Sequence, residues 1–458
     1  MSALSLAKLM GPRGQDYVRA LEAAQAFLRA HDTPALLARV GRVIDDLPAF
    51  EPIEKRRLQR SFSGAAPGDD LLAGQGLFYL TEGRKLFLDC TAGHYQMTWG
   101  YHPPGLAEAI WDADRAGIVW DNHSNIPQAP VKRLAERLVE LANPPGTADP
   151  LDTVLPGICT GSVACSSALK MQLVTFARSR GADAVPALIV MDGNYHGTDM
   201  IAQNLRGMWP RFVRNLDVVA VEPNDPGGLR DAFRRSAGRV AAFWAEPILM
   251  NREAILLEPA YLQLARQLCD EAGAPMCIDE IQTGFWQKEV FAAHLAGVVP
   301  DMLICGKGMT AGFHPLSAVV YKRRFDCLEQ YDAISTNGQA ALPALAALCN
   351  VEMIVSAGAR LDAVAARYEK GMRALAEKHG RILLEYHGRG LISALKFRDR
   401  QAAIDFHRAS VAAGLWTRAH AYHEGHSTLL TKLALAADEA IADYVVARLD
   451  ELLAKVRN

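Results

Sequence analysis

Short apolar runs of strand-forming residues alternate with helical patterns between about residues 105 and 320. Because a strand that is apolar on both faces must be covered on both sides, this alternation predicts an α/β fold whose mainly parallel sheet is flanked by helices. In such a sheet, ligands bind at the carboxyl ends of the strands. The predicted strands are Ala187 to Met191, Val218 to Val221, Val240 to Ala245, Met276 to Ile278 and Met302 to Cys305.

The two ends of the chain carry other patterns. Helical spacing occurs at Tyr17 to Phe27 and at Leu36 to Leu47, whereas Leu77 to Leu80 and Lys85 to Leu88 predict a hairpin. The last third has helical patterns around a strand-like run at Gly390 to Lys396, which is typical of a smaller α+β domain. The helices predicted in this third lie at about 340–357, 360–379, 401–413 and 437–456.

These patterns predict four parts. Residues 1–75 form an N-terminal helical extension, and residues 76–110 supply the N-terminal part of a small domain. Residues 111–335 form a large domain, and residues 336–458 form the C-terminal small domain. The strand ends that carry candidate chemistry all fall in the large domain.

Charge and cysteine content narrow the class of protein. The 49 lysine and arginine residues nearly balance the 51 aspartate and glutamate residues, so no positive excess indicates nucleic acid or a membrane surface as a partner. Eight cysteines occur without a CxxC pair, which is typical of free thiols in a reducing compartment. No window approaches the roughly 18 apolar residues of a membrane span, so we expect a cytoplasmic protein that acts on small molecules.

An acid and an amine follow two successive predicted strands. Asp279 comes directly after the run Met276 to Ile278, and Lys307 stands between two glycines after the run Met302 to Cys305. Alone, each is more often a cap or a solvated turn. Together they are the pair that pyridoxal phosphate requires, because an amine forms the imine and a carboxylate keeps the pyridine nitrogen protonated.

Two further strand ends fit the same cofactor. Gly161 and Ser162 form a glycine turn before a helical run, where backbone N–H groups and the helix dipole favour a phosphate, although such a turn is usually only a helix cap. Tyr195 follows the run Ala187 to Met191 and has a ring suited to stacking on a planar cofactor, while an ordinary loop tyrosine is the alternative. The combination favours pyridoxal 5′-phosphate.

In this order the residues resemble those of class III aminotransferases, a fold-type I pyridoxal-phosphate family that includes ornithine, 4-aminobutyrate and ω-amino acid transaminases. The resemblance covers about residues 76–455 and is strongest over Cys277 to Ser317, where IDEIQTGF, GVVPDM and CGKG follow in family order. It implies a fold-type I transferase with a seven-stranded type of sheet. It also implies an aminotransferase that passes an amino group from an amine or amino acid to a carbonyl acceptor by ping-pong kinetics, through a Lys307 aldimine.

The resemblance assigns the catalytic residues and one contact between subunits. Lys307 is implied to be the Schiff-base lysine, and Asp279 the partner of the pyridine nitrogen. Gln282 is implied to bond the phenolic oxygen of the cofactor. Thr336 matches the family threonine that reaches the phosphate of the neighbouring subunit, which implies a homodimer.

The resemblance also assigns the rest of the cofactor pocket. Gly161 and Ser162 are implied to bind the phosphate, with Val163 beside them where many members have a polar residue. Tyr195 is implied to stack on the cofactor ring, and His196 to lie behind it. The valine removes one polar contact near the cofactor.

The substrate pocket departs from the family pattern. Glu246 is implied to border this pocket and Tyr95 its entrance, while Trp286 begins a remodelled loop where the family usually has Gly-Arg-Thr-Gly. Many members bind the substrate carboxylate with an arginine, but the alignment places Thr428 there. The candidates for a replacement cation are Arg418 and Lys432.

Other readings of the chain stay open. His420, His423 and His426 have a repeated three-residue spacing, but without a matching carboxylate or cysteine set we expect no metal site. A class III-like racemase, epimerase or aminomutase would use the same lysine with a different outcome. A non-catalytic scaffold would have no reason to keep both Lys307 and Asp279.

Overall fold

The computed structural model describes residues 4–55, 70–121, 126–206, 216–330, 332–333, 338–421 and 423–456. The chain divides into two compact units. The first comprises Met1–His94, Trp99–Pro103 and Ala363–Asn458, and the second comprises Tyr95–Thr98 and Pro104–Asp362. The four-part division drawn from the sequence stays a prediction.

Helices occur in both units. No single helix in the described ranges is long and apolar enough to cross a membrane. The helices are α1 (Leu6–Leu9), α2 (Gly14–Ala30), α3 (Thr33–Leu37), α4 (Leu106–Arg115), α5 (Ala129–Ala142), α6 (Gly161–Arg180), α7 (Pro226–Arg235), α8 (Pro259–Ala272), α9 (Ala341–Ala357), α10 (Ala359–Lys378), α11 (Arg400–Ala412) and α12 (Glu439–Leu453). Short 3₁₀ helices are Gly11–Arg13, Ala202–Arg206, Ala292–Ala296, Lys307–Thr310 and Arg323–Phe325. A single irregular turn, Ala92–Tyr95, contains left-handed backbone at Gly93 and His94.

Within the described residues the strands form four sheets. The strands are β1 (Leu71–Gln75), β2 (Phe78–Thr81), β3 (Leu86–Asp89), β4 (Thr153–Ile158), β5 (Ala187–Met191), β6 (Asp217–Val221), β7 (Val240–Ala245), β8 (Ile248–Leu249), β9 (Ile255–Leu256), β10 (Met276–Asp279), β11 (Met302–Cys305), β12 (Ser317–Tyr321), β13 (Leu383–Arg389), β14 (Ile392–Phe397), β15 (Leu415–Trp416), β16 (Arg418–His420) and β17 (Thr428–Lys432).

The second unit is built on a seven-stranded sheet in the order β4-β12-β11-β10-β7-β5-β6. Neighbouring strands from β11 to β6 run parallel, and β12 runs antiparallel to both of its neighbours. Every residue of β5, β7, β10 and β11 is buried. The prediction of an α/β fold with a mainly parallel sheet flanked by helices is confirmed.

Successive residues of the central strands face two different cores. Leu188 and Val190 of β5 belong to one apolar cluster with residues of α6, whereas Ile189 and Met191 belong to another with residues of α8. Each of these aliphatic side chains stabilises the fold by about 1.5–3 kcal/mol through its burial. The helices therefore fix the strand ends from both faces, and those ends carry the candidate site.

The first unit contains the sheets β1-β2-β3-β15 and β13-β14-β17-β16. The predicted hairpin is confirmed, since β2 and β3 pair antiparallel. The helix expected over Leu36 to Leu47 is wrong beyond Leu37. There the backbone leaves the helix and pairs with β3, because Gly41 N donates to Leu86 O at 2.8 Å and Leu86 N donates to Arg42 O at 2.9 Å.

Candidate active site

Asp279 and Lys307 stand at the same edge of the large sheet. Asp279 ends β10, and Lys307 begins the 3₁₀ turn that follows the neighbouring parallel strand β11. Lys307 has a left-handed backbone with φ of 43°, a conformation that costs a non-glycine residue about 1–3 kcal/mol and that clusters at functional sites. Its Nζ lies 5.9 Å from the ring centroid of Tyr95 and 6.0 Å from that of Tyr195. An amine close to two aromatic rings thus follows the strand next to the one that ends in the carboxylate.

The carboxylate of Asp279 is buried and fixed by three donors. His196 Nδ1 lies 2.7 Å from Oδ2, the Cys165 thiol donates to Oδ2 at 3.4 Å, and Ile281 N donates to Oδ1 at 2.9 Å. Since the carboxylate accepts, Nδ1 of His196 carries the proton. Burial, reinforced by the charge of Asp279, raises the pKa of Cys165 well above its ordinary value and keeps the thiol a donor. This arrangement holds one anionic acceptor rigidly in an interior site.

The imidazole of His196 is enclosed within the same unit. Its ring centroid lies 5.0 Å from that of Trp244, and its Nε2 is buried without a hydrogen-bond partner among the described residues. The sequence placed His196 behind Tyr195, and the structure brings it to the carboxylate of Asp279. Cys165, His196 and Asp279 also offer ligand atoms within 4.8 Å of one another, a set that is able to hold a metal ion. In the structure Cys165 and His196 both form hydrogen bonds to the carboxylate of Asp279.

A chain of hydrogen bonds joins Lys307 to a second buried carboxylate. Lys307 Nζ donates to Gln282 Oε1 at 2.9 Å, and Gln282 Nε2 donates to Glu246 Oε2 and to Asn251 Oδ1, both at 3.3 Å. Glu246 Oε1 accepts from Tyr195 N at 2.8 Å. Burial raises the pKa of Glu246 to about 7. Gln282 therefore orients the amine, and Glu246 orients both Gln282 and the Tyr195 backbone.

The proposed phosphate turn opens α6. The Thr160 side chain caps this helix by accepting from Val163 N at 3.4 Å, and the Ser162 hydroxyl accepts from Thr198 N at 2.9 Å. A Cβ on Gly161 would lie 2.7 Å from Ile281 Cδ1. A Cβ on Gly197, whose φ is +122°, would lie 2.4 Å from Ser162 Oγ. Gly197 is thus required for the close approach of its backbone to Ser162, whereas a side chain at Gly161 would meet the side chain of Ile281.

The segment after Tyr195 is held against α6. The Ser166 hydroxyl lies 2.8 and 2.9 Å from the two carboxylate oxygens of Asp199. Asp199 Oδ1 in turn accepts from Ile201 N and Ala202 N, which starts the 3₁₀ helix Ala202–Arg206. At the end of that helix, the guanidinium carbon of Arg206 lies 4.5 Å from the centroid of the Tyr195 ring. Sequence reasoning missed Arg206.

The remodelled loop lies against the lysine turn. Trp286 is buried, and a Cβ on Gly308 would lie 3.2 Å from its Nε1 and 2.7 Å from Thr98 Cγ2. Phe285 and Val290 both have left-handed backbones, with φ of 69° and 65°. Val290 is β-branched, so this conformation is strained and depends on the packing around it. The loop thus places an indole next to Lys307.

Three predicted residues lie outside the described part of the second unit. Arg418 and Lys432 lie in the first unit, where Arg418 Nη1 is 2.7 Å from His94 Nδ1 and Lys432 is fully buried in β17. Their roles in substrate binding stay predictions. Thr336 lies outside the described residues.

The fold is shared with fold-type I transferases. The solved ornithine aminotransferase of Toxoplasma gondii is similar with a TM-score of 0.73 and 21% identity, covering 86% of this chain and 92% of that one. That structure is described as having partial occupancy of pyridoxal phosphate at its active site.

Residues 73–445 match the model of the aminotransferase class III family, and the chain belongs to this pyridoxal-phosphate-dependent family. The ornithine aminotransferase of Emericella nidulans is 32% identical over 186 residues, which are 38% of this chain and 41% of that protein. The glutamate-1-semialdehyde 2,1-aminomutase of Nitrosospira multiformis is 24% identical over 383 residues, 77% of this chain and 85% of that protein. The alignment with the Emericella protein thus spans less than half of that relative.

Proposed function

We propose that this protein is a pyridoxal-phosphate-dependent aminotransferase that moves an amino group between an amine or amino acid and a carbonyl acceptor by ping-pong kinetics. The observation that carries the proposal is the pairing of Lys307 and Asp279 at neighbouring strand ends, with the amine hydrogen-bonded to Gln282. Family membership over residues 73–445 supports the same reaction.

The residues present fit the cofactor. Asp279 is a buried carboxylate with three donors, which suits a protonated pyridine nitrogen. The start of α6 offers backbone N–H groups for a phosphate at Gly161, Ser162 and Val163, and a side chain at Gly161 would fill the space. Pyridoxal phosphate, when bound, supplies an electron sink for charge that develops on the substrate carbon. We assign Lys307 as its covalent attachment point.

The other residues of the pocket hold the reacting groups in place. Tyr195 offers a ring face for stacking, and Gln282 bonds the phenolic oxygen in our assignment. His196 keeps the Asp279 carboxylate oriented, and Glu246 fixes the Tyr195 backbone at 2.8 Å. Lys307 Nζ, once released, removes the proton from the substrate carbon that bears the amine.

Four further residues are proposed to contact the substrate. Tyr95 and Trp286 are both buried beside the lysine turn and supply apolar walls. Arg418 and Lys432 are proposed to contribute positive charge for a substrate carboxylate. The donors and acceptors are small molecules, and neither nucleic acid nor a membrane takes part.

We further propose that the enzyme is a cytoplasmic homodimer in which Thr336 reaches the phosphate held by the neighbouring subunit. All eight cysteines are free, which supports a reducing compartment. Large apolar side chains are exposed close together along the chain in the second unit, at Trp111, Val119, Trp120 and Ile126. Exposed apolar patches of this kind are typical of interfaces. Sedimentation of the purified protein tests the dimer.

An aminomutase is the second candidate, because the similarity to glutamate-1-semialdehyde 2,1-aminomutase extends over 77% of this chain. It would use Lys307 in the same way, but the nitrogen would stay within one substrate. A racemase or epimerase would likewise need no acceptor. The three outcomes differ in where the nitrogen goes.

Transfer of labelled nitrogen tests the proposal. The protein, loaded with pyridoxal phosphate, is incubated with a panel of ¹⁵N-labelled amines and amino acids and with 2-oxo acids. We expect label in the amino acid formed from the 2-oxo acid, and no transfer in Lys307→Ala. The matched control is Lys370→Ala, which removes an exposed lysine of the first unit. Racemisation or internal rearrangement without any acceptor would contradict the aminotransferase proposal.

A further inference from the structure

Cys165, His196 and Asp279 form a buried cluster of metal-binding side chains in the second unit. The thiol comes from α6, the imidazole from the loop after β5, and the carboxylate from the last residue of β10. Each residue is at most 2% exposed, and one ligand atom from each lies within 4.8 Å of the other two. Three elements of the fold thus bring a sulfur, a nitrogen and an oxygen close together.

The spacing of these atoms is near that of ligands around one zinc ion. Zinc bonds of about 2.0–2.3 Å at tetrahedral angles place neighbouring ligand atoms roughly 3.3–3.6 Å apart. Cys165 Sγ lies 3.4 Å from Asp279 Oδ2, which agrees with this spacing. His196 Nδ1 lies 2.7 Å from the same oxygen, so this pair would open by about 0.6 Å. The cluster therefore needs only a small rearrangement to hold an ion.

The kinds of ligand select the class of metal. A thiolate, an imidazole and a carboxylate suit Zn²⁺, whereas Mg²⁺ and Ca²⁺ require a larger number of oxygen ligands. A metal ion deprotonates a thiol that coordinates it. Zn²⁺ with the anions of Cys165 and Asp279 and a neutral imidazole therefore forms a site without net charge, which avoids most of the cost of burying an ion. Three protein ligands leave the fourth position to water.

The imidazole of His196 is able to change from a donor to a ligand. In the structure the proton on Nδ1 is donated to Asp279 Oδ2. Nε2 is buried and has no hydrogen-bond partner among the described residues. Movement of the proton from Nδ1 to Nε2 therefore frees the Nδ1 lone pair without breaking a hydrogen bond at Nε2. Binding of one Zn²⁺ then releases one proton in total, that of the Cys165 thiol.

We propose that Cys165, His196 and Asp279 bind one Zn²⁺ in the apoprotein, and that this ion excludes pyridoxal phosphate. The two ligands compete because the carboxylate of Asp279 serves either the metal or the pyridine nitrogen. This exclusion rests on the proposed function, whereas the zinc site itself does not. Zinc thus controls how much of the protein is able to take up its cofactor, and bound cofactor in turn protects the protein from zinc.

Titration of the apoprotein with Zn²⁺ alone tests the site. Calorimetry in two buffers of different ionisation enthalpy measures the stoichiometry, the dissociation constant and the protons released. We expect one ion and one proton per chain. Cys165→Ser, which keeps a hydroxyl donor but removes the thiolate, should weaken binding by more than about 100-fold, since even groups outside the ligand set are worth about 10- to 100-fold. Cys349→Ser, which alters a half-buried thiol of α9, is the matched control and should bind zinc as wild type does.

Co²⁺ gives a signal that depends on the thiolate itself. A thiolate bound to cobalt produces a sulfur-to-cobalt charge-transfer band in the near ultraviolet. Wild type and Cys349→Ser should both show this band, and Zn²⁺ should abolish it by displacing the cobalt. Cys165→Ser and Cys165→Ala should lack the band. Its absence from the wild-type apoprotein would overturn the inference, whatever the variants do.

Competition with the cofactor separates the zinc site from the proposed function. The apoprotein is titrated with pyridoxal phosphate at free Zn²⁺ held by a chelator at ten times its dissociation constant. The apparent dissociation constant of the cofactor should rise about tenfold in wild type and stay unchanged in Cys165→Ser. If zinc binds through Cys165 but no pyridoxal phosphate binds at any zinc concentration, the proposed function fails and the zinc site stands. Equal zinc affinity in wild type and Cys165→Ser, or a cofactor affinity that zinc does not change, would overturn the inference.

Discussion

Replacing Glu246 by glutamine should stabilise the protein above neutral pH. Burial raises the pKa of Glu246 from 4.5 to about 7, with His196 opposing the rise and Asp279 adding to it. Between these two values the folded protein keeps a proton that the unfolded chain has released. The free energy of unfolding therefore falls as the pH rises through this window, and the loss is complete above pH 7.

The structure sets the size of the effect. The difference between 4.5 and about 7 corresponds to roughly 3 kcal/mol of ionisation penalty at high pH. Glutamine is neutral at every pH, and its carbonyl still accepts from Tyr195 N. It loses the acceptor that lies 3.3 Å from Gln282 Nε2, at about 1 kcal/mol. The variant should thus be about 2 kcal/mol more stable than wild type above pH 8 and about 1 kcal/mol less stable near pH 4, where the Glu246 carboxyl is largely protonated in both the folded and the unfolded wild type.

Urea unfolding of the apoprotein between pH 4 and pH 9 measures this crossing. The urea midpoint of Glu246→Gln should lie below that of wild type at pH 4 and above it at pH 8. Glu280, whose pKa burial also raises to about 7, is present in both proteins and cancels in the difference. Glu271→Gln, which alters an exposed residue of α8, should follow wild type at every pH. A difference between Glu246→Gln and wild type that does not depend on pH would refute the reasoning.

Two other substitutions test residues that hold the site in place, Asp301 and Gly197. Burial alone would raise the pKa of Asp301, but the charges of Arg266 and Lys322 and the hydrogen bonds from Arg266 and Met276 N together more than offset it, so the pKa lies below its ordinary value. Asp301→Asn should lower the free energy of unfolding by about 3–5 kcal/mol at pH 7, measured by urea unfolding, because it removes the buried carboxylate that Arg266 and Lys322 share. The penalty should shrink as the pH falls below 4, where wild type loses the same charge, and a constant penalty would contradict this account. Gly197→Ala should weaken binding of pyridoxal phosphate at least about 10-fold in a fluorescence titration, through strain of about 1–3 kcal/mol and contact with Ser162. Gly238 has a φ of +75° but open space around a built Cβ, so Gly238→Ala is the control and should leave the affinity for pyridoxal phosphate unchanged. Equal losses of affinity in Gly197→Ala and Gly238→Ala would mean that backbone strain alone is the cause.

Much of the sheet was predictable from the sequence. The bounds of β5, β7 and β11 agree with the predicted runs, because each is a short, wholly apolar segment that is buried on both faces. The helix over Leu36 to Leu47 failed for the opposite reason. Its apolar spacing is helical, but beyond Leu37 the backbone forms hydrogen bonds with β3, and such tertiary pairing overrides local preference.

The residues of the candidate site were likewise predictable only in part. Asp279 and Lys307 were predictable because each directly follows an apolar strand, and strand order then brings them to one edge. Cys165 was not, since a lone cysteine on a buried helix face gives no signal, and its bond to Asp279 joins residues 114 positions apart. Arg206 follows a strand-end tyrosine by 11 residues, and only the path of the 3₁₀ helix returns it to that ring.

The most direct test of the account is the identity of the residue that holds the cofactor. The enzyme loaded with pyridoxal phosphate is reduced with borohydride, digested and mapped by mass spectrometry. We expect a phosphopyridoxyl group on Lys307, and no stable label in Lys307→Ala. A label on another lysine, with Lys307 unmodified in active enzyme, would contradict it.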